Sequence, residues 1–488
     1  MRPVVRPGFV VADGTARDLP ELLTGLRETL STAFGVDVPS VPRRVTRTWL
    51  DTFDWRLYRT GLTLEHRGGE LILTAGETTE LVQRVSRWRP SLRNGGVRLP
   101  DGPVASRIAS VIEPRALILV AATRSELVTL ALLNADVKTV VRVEIERPET
   151  GPAWITLNEI RGYAPQARRA GELLAGISGI EPATITPLAA VAPRPPGGYT
   201  GKVGARIEAG QQAPVAVSVV LLDLLDTLEA NVDGVLRDID TEFLHDLRIS
   251  VRRTRSALKL LGGVTPDATG HFRAEFKWLG DVTTPVRDLD VHLLGLGEAP
   301  GDLEPLRGYL ARARGTQFRR LTRELRSPRF TALTADWRKA LVESRDARWP
   351  RGLPTAQELA ATTIQAAQAK VLKRGGRITD DSPAEELHDL RKRAKELRYA
   401  LEFFASVQDA SADLSRLKKL QDCLGEFQDT EVQIEEISRQ ADAMLADRAH
   451  PVPASVFLAM GEVIAGLRER QRVARGEFDR RYGIFANK

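Results

Sequence analysis

Cysteine is almost absent: Cys423 is the only one among 488 residues. No intramolecular disulfide can form and no cysteine-based zinc site can be assembled, so a reducing, intracellular setting is expected. Long apolar runs are missing too. No stretch approaches roughly 18 consecutive apolar residues, and the opening MRPVVRPGFVVADG has no continuous hydrophobic segment, so neither a membrane helix nor a signal peptide is expected. The chain reads as cytoplasmic. Aromatic residues amount to 6% and do not interleave with basic runs, which withholds the stacking platform of a single-strand nucleic-acid binder. The chain also has no GxxxxGK[ST] phosphate loop, no GxSxG elbow and no Rossmann glycine pattern. His66, His271, His292 and His450 show no mutual spacing for a metal cluster, and no cofactor is implied.

What is present is the composition of a globular protein, 42% apolar and 27% charged, long enough for two or three domains. A net charge of +6 is moderate for this length, so local concentrations of charge matter more than the total.

One such concentration occurs twice. Residues 244 to 261 read LHDLRISVRRTRSALKLL and residues 387 to 404 read LHDLRKRAKELRYALEFF, an offset of 143. At helical spacing each copy has an apolar stripe, Leu244, Leu247, Val251, Leu258 and Leu261 in the first and Leu387, Leu390, Ala394, Leu397, Leu401 and Phe404 in the second. Beside it runs a cationic line: His245, Arg248, Arg252, Arg255 and Lys259, then His388, Arg391, Lys395 and Arg398. Glu402 stands where Lys259 stands in the first copy and is expected to mark where the charged track ends. On a single helix such a line would be an ordinary solvated face. Its recurrence in register is what points to a ligand.

The duplication extends further. FKWLGDVTTPVRDLDV (276 to 291) and LKKLQDCLGEFQDTEV (417 to 432) align at an offset of 141, matching Lys277 with Lys418, Asp288 with Asp429 and Asp290 with Glu431. These carboxylates are expected to pair with Arg287 or neighbouring helix ends and not to hold a metal. The helical half is therefore an internal tandem, each unit expected to be a four-helix bundle, related by an approximate two-fold.

Upstream the texture changes. From about residue 44 to residue 160 the runs are β-prone, with Leu62 to Arg67 and Leu71 to Thr74 reading as a hairpin about Gly68 and Gly69. Further strands are expected at Ala116 to Thr123, Leu127 to Leu133, Thr139 to Ile145 and Trp154 to Ile160, with helices at 19 to 33, 103 to 113 and 165 to 176. This suggests an antiparallel meander or barrel. Residues 191 to 214, rich in proline and glycine, read as a linker. The expected fold class is α+β multidomain: an antiparallel β-barrel or tunnel-like domain at 1–190, the linker, and an all-α domain of two pseudo-symmetric four-helix bundles at 215–488, with repeat units about 215–345 and 355–485.

On the paired LHDLR motifs, with VRDLDV and LGEFQDTEV, the helical half resembles the CHAD domain, the conserved histidine α-helical domain, over about residues 213 to 488. The resemblance implies a two-bundle helical fold with a basic groove or pore that binds inorganic polyphosphate. Matched position by position, the binding residues would be His245, Arg248, Arg252, Arg255, Lys259, His388, Arg391, Lys395 and Arg398, with Lys277 and Lys418. The first half is similar to the CYTH family, the triphosphate tunnel metalloenzymes, through LDTFDWRLYRTGLTLEHR (50 to 67). That family's first strand carries Glu-x-Glu-x-Lys, whereas here the strand would be VVRPGFVV (Val4 to Val11), without a carboxylate. Glu144, Glu146 and Glu159 are either remnants of a site or exposed strand residues.

The residue types suit a polyphosphate. Arginine gives planar bidentate contacts to phosphate oxygens and lysine a compact charge, and a 3, 4, 3, 4 spacing sets successive cations about 5 Å apart along the helix. His245 and His388 open their stripes, where they either meet an anion or pack against their own Asp246 and Asp389. The leading expectation is non-catalytic polyphosphate binding, with association with polyphosphate granules. A metal-dependent triphosphatase in the β half is the first alternative, with the missing first-strand carboxylates against it. Nucleic-acid binding is the second. No membrane partner is expected.

Overall fold

The structure, a computed structural model, describes the chain except residues 1–7, 13–18, 39–40, 77, 94, 185, 266–269, 297–302, 448–450 and 487–488. The Val4 to Pro7 part of the expected first strand lies outside the described residues. The chain forms two compact units, Met1–Thr200 with Asp238–Asp240, and Gly201–Arg237 with Thr241–Lys488.

The first unit is built on strands β1 (Gly8–Val11), β2 (Gly35–Asp37), β3 (Arg43–Asp51), β4 (Leu62–Arg67), β5 (Glu70–Ala75), β6 (Thr78–Arg84), β7 (Ile118–Leu133), β8 (Thr139–Pro148), β9 (Ala153–Glu159) and β10 (Ile180–Pro182), with helices α1 (Leu19–Leu30), α2 (Arg56–Arg59), α3 (Pro103–Ile112), α4 (Ala164–Ala175) and α5 (Pro187–Val191). The strand order is β10-β1-β9-β8-β7-β3-β4-β5-β6, all antiparallel, with β2 also on β7. Among the described residues no pairing joins β10 to β6, so the sheet is not closed as the expected barrel. The hairpin forms as its glycines require: Gly68 and Gly69 both take positive φ, 59° and 83°, between β4 and β5. The two strands expected at 116 to 133 are one strand, β7. Nothing between Thr123 and Leu127 breaks it, because that stretch pairs with β3 on one edge while β8 joins the other.

Two apolar layers hold this unit. One gathers Leu130, Leu132, Val141, Val143, Ile155 and Leu157 of the sheet with Leu26 and Leu30 of α1 and Leu174 of α4. The other gathers Leu62, Leu64, Leu71 and Leu73 with Val104 and Ile108 of α3. Each fully buried leucine contributes on the order of 2 kcal/mol.

The second unit is helical: α6 (Ala213–Leu236), α7 (Thr241–Leu260), α8 (His271–Leu296), α9 (Glu304–Leu325), α10 (Pro328–Asp346), α11 (Ala356–Gly375), α12 (Ala384–Phe403), α13 (Ser411–Ala446), α14 (Ala454–Gly476) and α15 (Phe478–Ala486). These ten described helices fall into two sets of five, α6 to α10 and α11 to α15, a count that fits two bundles with one helix more in each than expected. The sets share a core in which Leu289, Leu306 and Leu310 meet Met444, Val456 and Met460. Their two-fold relation is visible in the backbone. Gln212 and Thr355, equivalent at the 143-residue offset, form an antiparallel bridge with each other. Ala213 donates to the Pro354 carbonyl at 2.9 Å and Ala356 to the Gln211 carbonyl at 2.7 Å, the same contact made in both directions. Thr355 then opens α11 with a reciprocal cap, its hydroxyl accepting from the Glu358 amide while the Glu358 carboxylate accepts from the Thr355 amide.

Candidate functional site

Helices α7 and α12 carry the two cationic lines, and their sequences fix which way those lines face. Leu244, Leu247, Val251 and Leu258 are buried on α7, as are Leu387, Leu390, Leu397 and Leu401 on α12. With the apolar stripes turned inward, the flanking cations are left half-buried or at the surface. Both histidines are the fifth residues of their helices, past the free N–H groups of the first turn, so neither sits at the anion-favouring helix end the sequence suggested.

The two lines converge at equivalent positions. Arg252 and Lys395 correspond at the 143-residue offset, and Arg252 is close enough for its charge to act on Lys395. Burial, followed by the charges of Arg391, Arg252 and Arg398, pushes the Lys395 ammonium down to about 8, with Asp429 opposing. On α7, burial and then Arg252, Arg287 and Arg255 push Arg248 down to about 10 against the pull of Asp288. Among the described residues neither Arg252, Arg255 nor Lys395 makes a hydrogen bond or ion pair. A cluster of like charges at a half-buried surface is repulsive, and that repulsion falls when an anion arrives.

Around this centre the other cations are tethered. Arg248 donates to the hydroxyls of Thr283 and Thr284 at 3.0 and 2.8 Å and to the Gly280 carbonyl at 3.3 Å, all on α8. Gly280 also leaves room for Arg255: a methyl group there would stand 2.8 Å from the guanidinium. Arg391 donates to Gln428 and to Asp429 on α13, both at 3.0 Å. His388 Nε2 lies 2.5 Å from a Glu431 carboxylate oxygen, close enough to form an ion pair when protonated but not aligned as a hydrogen bond. His245 is half-buried on α7. Lys277 is exposed and pairs with Asp281 at 2.9 Å, and Lys418 is exposed on α13, so nothing gathers these two into the cluster. Asp389 pairs with Arg374 at 3.0 Å, and buried Asp290 with Arg314 at 2.5 Å. No group of His, Cys, Asp or Glu among the described residues is arranged to hold a metal ion.

Sequence reading missed the residues that hold α7 against α12. Arg253 is 5% exposed and donates to Glu402 at 2.8 and 3.1 Å. Lys259 meets Glu396 at 2.6 Å. At the same offset 253 is equivalent to 396 and 259 to 402, so these two bridges are one contact made twice across the two-fold, with both cations on α7 and both carboxylates on α12. Glu402 also binds Arg398 at 2.7 Å. The signal is an inversion of charge sign at two aligned positions, Glu402 opposite Lys259, read above only as a break, and Glu396 opposite Arg253.

The first unit holds a different kind of basic site. Strand register puts Arg47 of β3, Glu65 and Arg67 of β4, and Glu144 and Glu146 of β8 on one face of the sheet. Arg47 reaches Glu65 at 2.6 Å and Glu146 at 2.8 Å, and Arg67 lies 3.5 Å from both Glu65 and Glu144. Burial disfavours charge on Arg47, but Glu65 and Glu146 outweigh it and raise its pKa. Two arginines face three carboxylates, and Glu159 stands apart, exposed.

Residues 219–438 match the model of a family described as the CHAD domain. The chain is similar to the crystal structure of the CHAD domain from the plant Ricinus communis, at 26% identity over 59% of this chain and 96% of that one, with a TM-score of 0.51. It also aligns with PptA from Streptomyces chartreusis at 17% identity, over 56% of this chain and 99% of that one, with a TM-score of 0.42. A putative adenylate cyclase from Bacillus halodurans aligns at 11% identity over 38% of this chain and 94% of that one, with a TM-score of 0.25. The last two likenesses are too slight to argue from. No curated protein matches the chain.

Proposed function

From a chain whose residues 219–438 are a CHAD domain, a family associated with polyphosphate, we propose that this protein binds inorganic polyphosphate along the α7 and α12 cations. Arg252 and Lys395 form the centre of the track, Arg248, Arg255, Arg391 and Arg398 extend it on either side, and His245 and His388 open each line one turn inside its helix. One observation carries the reading. Arg252 of one repeat is close enough to act on its equivalent Lys395 in the other, and Lys395, half-buried and without an ion-pair partner among the described residues, is pushed down to about 8.

A phosphate chain relieves that repulsion because it carries charge continuously and has no base to read. Guanidinium groups already held by Thr283, Thr284 and Gln428 keep further N–H donors for phosphate oxygens, since arginine has five. Binding is non-catalytic in this reading, and granule association would follow from it.

The test is a titration of the full chain with polyphosphates of defined length, with released phosphate followed in the same samples. Affinity should rise with chain length and fall steeply with salt through counterion release. Arg252→Glu combined with Lys395→Glu should abolish binding while the melting curve keeps its shape. Wild-type affinity in that double variant would sink the proposal. Phosphate release in the presence of Mg²⁺ or Mn²⁺ would overturn its non-catalytic part.

A further inference from the structure

The first unit carries a second basic feature on the face of β4 opposite its Arg and Glu network. Residues alternate along a strand, so His66 points away from the face that carries Glu65 and Arg67. His66 is buried, and its ring meets the edge of Trp88 at 5.4 Å. Trp88 belongs to the stretch from 81 to 100, LVQRVSRWRPSLRNGGVRLP, which holds five arginines and no carboxylate. Here the chain encloses a cavity of about 350 Å³ lined by Trp88, Arg89, Ser91, Arg93, Gly96 and Arg98.

The cavity's shape is fixed from within. Gly95 and Gly96 take positive φ, 80° and 77°, and a methyl group on Gly96 would stand 2.8 Å from the Leu117 carbonyl, so only glycine closes this turn. The turn sets Arg93 against Gly96 in an isolated bridge. Trp88 donates its indole N–H to the Arg98 carbonyl at 3.2 Å, and Arg89 donates to the Trp88 and Ser86 carbonyls at 2.8 and 3.2 Å. Backbone carbonyls position Trp88 and Arg89; among the described residues no carboxylate neutralises Arg89, Arg93 or Arg98. The surplus charge is felt inside the unit, where burial and then Arg89 hold the His66 pKa below its usual range.

We infer that this cavity is a second anion site, which takes a compact, multiply charged phosphate group such as a di- or triphosphate, between Arg89, Arg93 and Arg98. Three guanidinium groups around a small cavity suit a ligand with several oxyanions close together, and their bidentate geometry favours phosphate over a single point charge. The phosphate group could end a polyphosphate chain or a nucleotide; the chemistry read by the three arginines is the same.

The experiment uses the full chain already carrying Arg252→Glu and Lys395→Glu, so that the α7 and α12 track is out of play. Titration with tripolyphosphate should give one site per chain and a change in tryptophan fluorescence. Trp88→Phe should keep the heat of binding and lose most of the fluorescence change. Arg93→Glu with Arg98→Glu should weaken binding at least tenfold, and the milder Arg93→Gln with Arg98→Gln should weaken it less, with unchanged circular dichroism in both. ATP binding as tightly as tripolyphosphate assigns recognition to the phosphates alone, and ATP binding more than tenfold tighter identifies a nucleotide stacked on Trp88. Absence of any binding, or binding unaffected by the arginine variants, overturns the site. The readout is a difference at Arg93 and Arg98, so it stands whether or not polyphosphate binds between α7 and α12.

Discussion

Both units gather arginines, and the gatherings differ in what surrounds them. On the sheet, Arg47 and Arg67 are met by Glu65, Glu144 and Glu146, and every charge has a partner within 4.0 Å. On α7 and α12, Arg252, Arg255 and Lys395 have no ion-pair partner among the described residues, and burial, followed by the nearby cations, lowers the affinity of the Lys395 amine for its proton. The first arrangement neutralises its charges within the fold, and the second leaves them without a countercharge among the described residues. The number of arginines therefore says little about anion binding; the carboxylates within reach of them decide it.

Four outcomes would break or sharpen that contrast. Reversing Arg252 and Lys395 together should lower polyphosphate affinity by about a thousandfold or more, because two attractions become repulsions. The melting temperature should hold or rise, since like-charge crowding is removed. In the sheet the roles exchange: Arg47→Leu leaves buried Glu65 and Glu146 with only the more distant Arg67 and should cost about 3 kcal/mol of stability by denaturant unfolding, with polyphosphate affinity unchanged. If Arg47→Leu instead weakens binding with stability intact, the contrast is false.

Glu402→Gln tests the seam between the helices. It leaves Arg253 buried without its countercharge and should destabilise the helical unit by about 2–3 kcal/mol, read as a lower denaturant midpoint. The smallest effect is on pH. Bound polyanion raises the pKa of Lys395 back above its free value near 8, so the bound state holds more protons just above that pH. Affinity should be flat below pH 8 and fall as pH rises beyond it, by up to about tenfold, with proton uptake on binding in calorimetry across buffers. The free protein should gain stability over the same rise, because the unfolded chain, with an ordinary lysine pKa, binds more protons in that window. Lys395→Arg should flatten the affinity profile.

The cationic lines were legible in the sequence because helical spacing and duplication both mark them, and the apolar stripes beside them fix their facing. The hairpin at Gly68 and Gly69 was legible from its turn chemistry. The continuity of β7 was not, since a strand that serves two neighbours in succession looks like two strands when each run is read alone. Arg253 and Glu396 escaped for another reason, and Glu402 was seen only as a break opposite Lys259: a duplicated sequence is read by what its copies share, and these residues matter through what the copies do not share. The bridge between Gln212 and Thr355 left no side-chain trace at all, because backbone groups make it.

The distribution of charge across the α7 and α12 seam has a consequence for assembly from parts. Arg253 and Lys259 lie on one helix, Glu396 and Glu402 on the other. Two copies of the α6 to α10 segment brought together in the same way would set arginine against lysine, and two copies of the α11 to α15 segment would set glutamate against glutamate. Cut between Asp346 and Thr355 and produced as separate polypeptides, the two segments should recognise each other and refuse themselves, so that the chain contains, in one covalent molecule, an obligate heterodimer.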